Sequence, residues 1–240
     1  MAVYGSFSLV LYPILCMLPF SDPQSVARYA ERPPRIVPGF ADLHRMSALL
    51  LAERTPPDGR VLVLGAGGGL ELKAFAEFQP SWRLDGVDPS AEMVRLAQAT
   101  LGPLADQVQF HEGYIDTAPA GPYDAATCLL TFHFLPLEER RHILQQILRR
   151  LRPGAPFVVA HHSFPQHEPE RAVWLARYAA FTVATGTDRV QAEAGSAVMA
   201  ARLSVLSPQQ DEALLQEAGF ADVSLFYAGF TFRGWVAYKP

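Results

Sequence analysis

The stretch VLVLGAGGGLELKAFAEF (61–78) decides the fold. Its first four residues, VLVL, read as a short buried strand. Gly65-Ala66-Gly67-Gly68-Gly69 follow, so the backbone can turn sharply and come close to a ligand. The apolar spacing of LELKAFAEF (70–78) then predicts a helix. A strand passing through a glycine turn into a helix is the first unit of a doubly wound, mostly parallel sheet. The loop predicts a nucleoside-like ligand, but a dinucleotide fingerprint G-x-G-x-x-G would need glycine at position 70, where the chain has Leu70.

Outward from this unit, strands and helices alternate. WRLDGVD (82–88) is a strand, and Ser90 caps a helix through AEMVRLAQATL that stops at Gly102-Pro103. VQFHEGYI (108–115), DAATCLLTF (124–132) and PFVVAHH (156–162) are further strands, and LEERRHILQQILRRL (137–151) is a helix with one apolar stripe. Residues 164–206 break the alternation with two helical patterns, ERAVWLARYAAFTVA and RVQAEAGSAVMAARL, and no strand between them. Ser207, Pro208 and Gln210 then open a capped helix that Gly219 ends, and VSLFYAGF and GWVAYKP are two last strands. The organisation expected is one domain over 1–240: an N-terminal flap (1–59), a core (60–163), a helical cap (164–206) and a C-terminal helix with a strand pair (207–240).

Composition agrees with a packed single core. Half of the 240 residues are hydrophobic and 18% are charged, which excludes disorder. The net charge of −4, with no dense basic stripe, argues against nucleic acid as a direct partner. Cys16 and Cys128 form no metal or disulfide pattern, in keeping with a reducing cytoplasm. The first twenty residues carry no charge, but Pro13 and Pro19 interrupt them and no basic residue precedes them, so they read as a partner-facing flap and not as a membrane span or signal. That flap and the helices of the cap offer surfaces for a homodimer.

Taken together, the glycine loop at 65–69, DGVDPS (85–90 within LDGVDPS), EGYID (112–116), YDAATCLLTFHFL (123–135), the LRPG turn (151–154) and the AGF helix end (218–220) resemble the class I S-adenosylmethionine-dependent methyltransferases. That resemblance implies a seven-stranded sheet of order 3-2-1-4-5-7-6, S-adenosyl-L-methionine as donor and S-adenosyl-L-homocysteine as product. RIVPGFADL (35–43), LTFHFLPLEERRHIL (130–144) and FYAGFTFRGWVAYK (226–239) further resemble the carboxy-S-adenosylmethionine synthases of tRNA wobble-uridine modification. Carried over residue by residue, that group's cofactor positions fall on Phe40, Gly65, Ala66, Gly67, Asp88, Pro89, Tyr114, Ile115 and Leu129. The group's arginine for the added carboxylate has no counterpart in QAEAGSAVMAA (191–201), and Phe40, Tyr114 and Leu129 replace a tyrosine, an aspartate and an asparagine. Val63 stands where many of these methyltransferases carry an acid.

Asp88 lies 23 residues beyond Gly65 at a strand end, where a carboxylate accepts from ribose hydroxyls; its plainer role is a cap on the next helix. The expected reaction is methyl transfer to a small apolar or aromatic acceptor, with the synthase activity and a non-catalytic adenosyl-ligand receptor as alternatives. His133 and His161 are the candidate general bases, both near strand ends; His162 should face away from its neighbour. His161, His162 and His167 could suggest a metal, but no acid at ligand spacing supports one, and none is expected. Trp174, Tyr178 and Phe181 form an aromatic stripe that could roof the acceptor, or simply pack in a core.

Overall fold

The structure is a computed structural model, and it describes residues 29–240. Residues 1–28 of the expected N-terminal flap (1–59) lie outside the described residues. After one helical turn at Pro33–Ile36, the elements run α1 (Phe40–Ala52), β1 (Arg60–Leu64), α2 (Leu70–Phe78), β2 (Arg83–Asp88), α3 (Ala91–Leu101), β3 (Val108–Glu112), β4 (Ala125–Leu129), α4 (Leu137–Arg150) and β5 (Pro156–His162). The cap is α5 (Glu170–Ala184) and α6 (Arg189–Arg202); α7 (Pro208–Glu217), β6 (Ala221–Gly229) and β7 (Phe232–Tyr238) complete the fold. Seven strands form one sheet of order β3-β2-β1-β4-β5-β7-β6, with β7 antiparallel to both neighbours, as the resemblance implied.

Alternation along the strands sorts the core onto two faces. Val61, Val63, Ala125, Leu129, Val158 and Ala160 pack beneath α1, α2 and the cap, in the cluster that includes Leu43, Leu72 and Tyr178. Leu62, Leu64, Ala126, Cys128, Phe157 and Val159 face α4 and α7, with Leu144, Ile147 and Leu214. Both faces of the central strands are therefore dry, which is why these strands read as continuous apolar runs. Capping follows the expected residues: Ser90 accepts from the Met93 amide, and Ser207 with Gln210 forms a reciprocal capping box.

Two strands are shorter than the sequence predicts. β4 ends at Leu129, because Leu130 adopts a left-handed φ of 58° and Phe132–Phe134 forms a 3-10 turn. β3 ends at Glu112, where Gly113 departs with φ 146°. In both cases the chain leaves the sheet at its carboxyl edge to build a loop. Among the described residues, no helix is long and apolar enough to cross a membrane.

Candidate functional site

The glycine loop is shaped by hydrogen bonds from its own amides. Gly65 N and Ala66 N donate to Val87 O at 2.9 and 3.1 Å, lashing the loop to the end of β2. Gly67 N donates to Asp88 Oδ2 at 2.8 Å, and Ser90 N donates to Asp88 Oδ1 at 2.9 Å. Glycine is required at position 65: with φ 72°, a Cβ there would stand 2.2 Å from Thr131 Oγ1. Asp88 is thus a cap and a loop tie at once, and burial pushes its carboxyl up against those two bonds. Gly113 N donates to Asp88 O at 3.0 Å, which brings the β3 loop, with Tyr114 and Ile115, beside Asp88 and Pro89.

These contacts gather Gly65, Ala66, Gly67, Asp88 and the Tyr114 loop at one edge, with Leu129 joining through Thr131, whose hydroxyl donates to Leu129 O at 3.0 Å. Ile115 and Leu129 are buried, whereas Tyr114 is 42% exposed. Phe40 opens α1, and its ring meets His44 edge-on at 4.4 Å. Tyr29 belongs to this neighbourhood too, and no pattern in the sequence pointed to it. Its ring covers the loop: a Cβ on Gly68 would lie 2.9 Å from Tyr29 Cδ1, and one on Gly67 3.3 Å from its hydroxyl. Burial first, then the charges of Asp88 and Glu71, push the Tyr29 pKa up to about 12.

The histidines separate by strand parity. His161 lies on the α4/α7 face, with Trp235 at 5.7 Å between ring centroids, and its Nε2 is 3.1 Å from Asp211 Oδ1. Arg140, with 0% of its surface exposed, reaches the same carboxylate at 3.2 Å and donates to Leu135 O. Burial pushes Asp211 up, but His161, Ser163 and Arg140 outweigh it and hold the carboxyl below its usual range. His161 therefore lies beside the buried Arg140–Asp211 pair, with the sheet between it and the cap. His162 takes the position expected for its neighbour. It stacks on Phe232 at 3.8 Å, meets Tyr178 at 5.3 Å, and its Nδ1 lies 2.9 Å from Thr231 Oγ1.

His133 does reach the cap face, its ring 4.7 Å from that of His162. Its Nδ1 accepts the His162 amide at 3.3 Å, so the neutral ring carries its proton on Nε2 and has no lone pair left for a substrate proton. Burial, then the neighbouring His162, His161 and Arg140, hold its pKa well below the usual value, and burial lowers His162 to about 3. The wall formed by His133, His162, Tyr178 and Phe232 is consequently uncharged.

The aromatic stripe splits. Tyr178 is buried against His162 and Phe232, as above. Trp174 instead lies between the guanidiniums of Arg177 and Arg233, 4.7 and 5.2 Å from its ring, and Phe181 packs on Phe230 at 5.4 Å. These two side chains hold the cap onto the β6–β7 hairpin. Among the described residues, no group of three or more His, Cys, Asp or Glu could hold a metal, and His167 pairs with Glu170 beside its own helix.

Residues 61–154 match the family model described as a methyltransferase domain. Over 228 residues the chain is 30% identical to a carboxy-S-adenosyl-L-methionine synthase of Chromohalobacter salexigens, covering 91% of this chain and 82% of that protein. Over 149 residues it is 33% identical to a trans-aconitate 2-methyltransferase of Azoarcus sp., covering 58% of this chain and 56% of that one. Among solved structures, a putative O-methyltransferase of Nostoc punctiforme superposes with a TM-score of 0.64 at 21% identity over 90% of this chain. Human N-acetylserotonin methyltransferase in complex with SAM superposes with a TM-score of 0.61 at 15% identity over 92% of this chain. The chain spans 60% and 57% of those two solved chains, which share its fold. With the sheet order, the glycine loop tied to Asp88 and a relative of this identity over nearly its whole length, the chain belongs to the class I S-adenosylmethionine-dependent methyltransferases, in the group that includes the carboxy-S-adenosyl-L-methionine synthases.

Proposed function

We propose that the protein transfers a methyl group from S-adenosyl-L-methionine to a small apolar or aromatic molecule, leaving S-adenosyl-L-homocysteine. The observation that carries this reading is the meeting, at one edge of the sheet, of the glycine loop and Asp88 with a wall of uncharged rings. The residues fit the donor. Each Asp88 oxygen accepts one backbone bond, and a carboxylate has about four lone-pair sites, so two remain for the vicinal hydroxyls of a ribose. Gly65, Ala66 and Gly67 let the backbone approach, Tyr114 and Ile115 bracket the adenine, and Phe40, Pro89 and Leu129 line the rest.

When bound, the sulfonium supplies an electrophilic methyl group. The chain's own task is to align the acceptor with it and exclude water, and orientation of this kind accounts for up to about 7–11 kcal/mol of a barrier. His133 acts here through its Nε2 proton, as a donor that orients, because its Nδ1 is already engaged. Tyr178 forms the inner part of the acceptor wall, with Trp174 and Phe181 fixing the cap that carries it. An uncharged wall favours an uncharged acceptor, since a buried unpaired charge is costly. A second copy of the chain is proposed as partner through α6, where Val190 and Val198 are 73% and 51% exposed. A cytoplasmic location is proposed on cysteine usage alone.

The test is calorimetric titration with S-adenosyl-L-homocysteine, with NAD in parallel, followed by a screen of neutral acceptors with labelled donor. Binding of NAD in place of the thioether would refute the reading. The synthase activity is a second reading, favoured by the relatives bearing that name along 91% and 95% of the chain. The cation it needs is absent from residues 191–201 of α6; Arg32, whose charge acts on both Tyr29 and Tyr178, is a described cation near enough to supply it. A carboxylated donor released from the purified protein, seen by mass spectrometry, would decide for it.

A further inference from the structure

Glu71 is a buried carboxylate that the reading above leaves unused. It is the second residue of α2, just past the glycine loop, and 6% exposed. Its Oε1 accepts the Thr127 hydroxyl in a short bond, and no other donor among the described residues reaches it. Thr127 is the register partner of Val63, so Glu71 hangs over the same face of β1 and β4 as the Val63 side chain. Tyr29 fixes how this relates to the loop. Its ring lies against Gly67 and Gly68, and its hydroxyl feels the charges of both Asp88 and Glu71. The loop, Asp88 and Glu71 therefore all lie around Tyr29.

A carboxylate buried with a single neutral partner is poorly accommodated when ionised; a cation beside it reverses that. We infer that the Glu71 carboxylate receives the ammonium group of the donor's amino-acid half, a task that apolar Val63 cannot perform from the strand. The inference rests on the methyl-donor reading. Thr127 from β4 faces Glu71, Cys128 feels its charge from the opposite face of the sheet, and Tyr29 feels it together with the charges of Asp88 and Arg32; among the described residues no ion pair joins Arg32, which is exposed, to Glu71. Burial pushes the Glu71 carboxyl up to about 8 despite the Thr127 bond, so at neutral pH it is mostly protonated until an ammonium arrives. Binding should then release a proton.

The experiment is calorimetry on the whole chain with two probes, S-adenosyl-L-homocysteine and 5′-methylthioadenosine, which keeps the nucleoside and sulfur but has no amino acid. Glu71→Gln retains an acceptor for Thr127 and removes the charge. It should weaken the first probe about 10- to 100-fold and leave the second within about threefold. Titrations in buffers of different ionisation enthalpy should show proton release with the wild type and the first probe, lost in the variant. Val63→Asp in the Glu71→Gln background should recover affinity for the first probe. Equal losses for both probes, or no loss for either, would overturn the ammonium assignment while leaving the donor reading standing. If the wild type binds neither probe, the donor reading falls and this inference with it.

Discussion

Replacing Asp88 with alanine separates its two roles. In the folded chain each carboxylate oxygen accepts one backbone amide, from Gly67 at 2.8 Å and Ser90 at 2.9 Å. Hydrogen bonds to a charged group contribute about 1.5–3 kcal/mol each, so losing two would cost about 3–6 kcal/mol if nothing replaced them. Gly67 and Ser90 are both partly exposed, so water can replace some of what is lost, and removing a carboxyl whose burial raises its pKa returns more, which brings the expected destabilisation to about 2–3 kcal/mol. The ribose bonds are a separate quantity. Their loss should weaken S-adenosyl-L-homocysteine by about 1.5–3 kcal/mol, or about 10- to 150-fold. Urea unfolding measures the first effect and calorimetric titration the second. Asp88→Asn, which keeps one acceptor oxygen, should be milder on both axes and guards against an alanine variant that does not fold. A variant that loses stability but binds the thioether within about threefold of wild type would refute the ribose role and leave Asp88 a loop tie only.

Gly65→Ala should destabilise by about 2–4 kcal/mol in urea, because it combines a φ of 72° with a Cβ 2.2 Å from Thr131 Oγ1, and Thr131→Ala should return part of that loss. Arg140→Met should cost about 3–5 kcal/mol by leaving Asp211 buried without its guanidinium; a change under about 1 kcal/mol in thermal unfolding would show that His161 and Ser163 suffice. Stability carried by protonated Glu71 is fully present below about pH 4.5 and falls as pH rises towards 8, by up to about 1.4 kcal/mol per unit, so Glu71→Gln should flatten denaturation midpoints over that window. His162, lowered to about 3, has the opposite sign: its contribution is lost as pH falls below about 6.5, and His162→Gln should flatten the acid limb.

Much of the fold was legible because its signals are local. VLVL, the glycine loop and LELKAFAEF are contiguous, Ser90 and Ser207 mark their helices, and the two dry sheet faces need only unbroken apolar runs. The loops at the carboxyl edge were harder. DAATCLLTF carries no glycine or proline to mark a break, yet the chain leaves the sheet at Leu130 because it must turn beneath the glycine loop, a demand set by Thr131 against Gly65 and not by composition. The histidines show the same limit more sharply. Alternation told that His161 and His162 face opposite ways, but which of them turns to the cap depends on register across the sheet, and that sets His161 on the α4/α7 face. Tyr29 and Glu71 reach the site through tertiary packing from positions that carry no motif. The Arg140–Asp211 pair joins residues 71 apart and left no mark in the sequence.

Three remote segments are tied where the cap meets the sheet. The Tyr227 hydroxyl donates to Pro38 O across 189 positions, and the Thr185 hydroxyl donates to Arg35 O across 150. Ties of such span depend on both remote elements being in place, so the segment carrying Tyr29 should be the first to detach when the hairpin or cap loosens. A ligand held between that segment and the glycine loop would therefore act as a latch: its presence should be felt first as protection of residues 29–39 from amide exchange, before any change in the strands beneath.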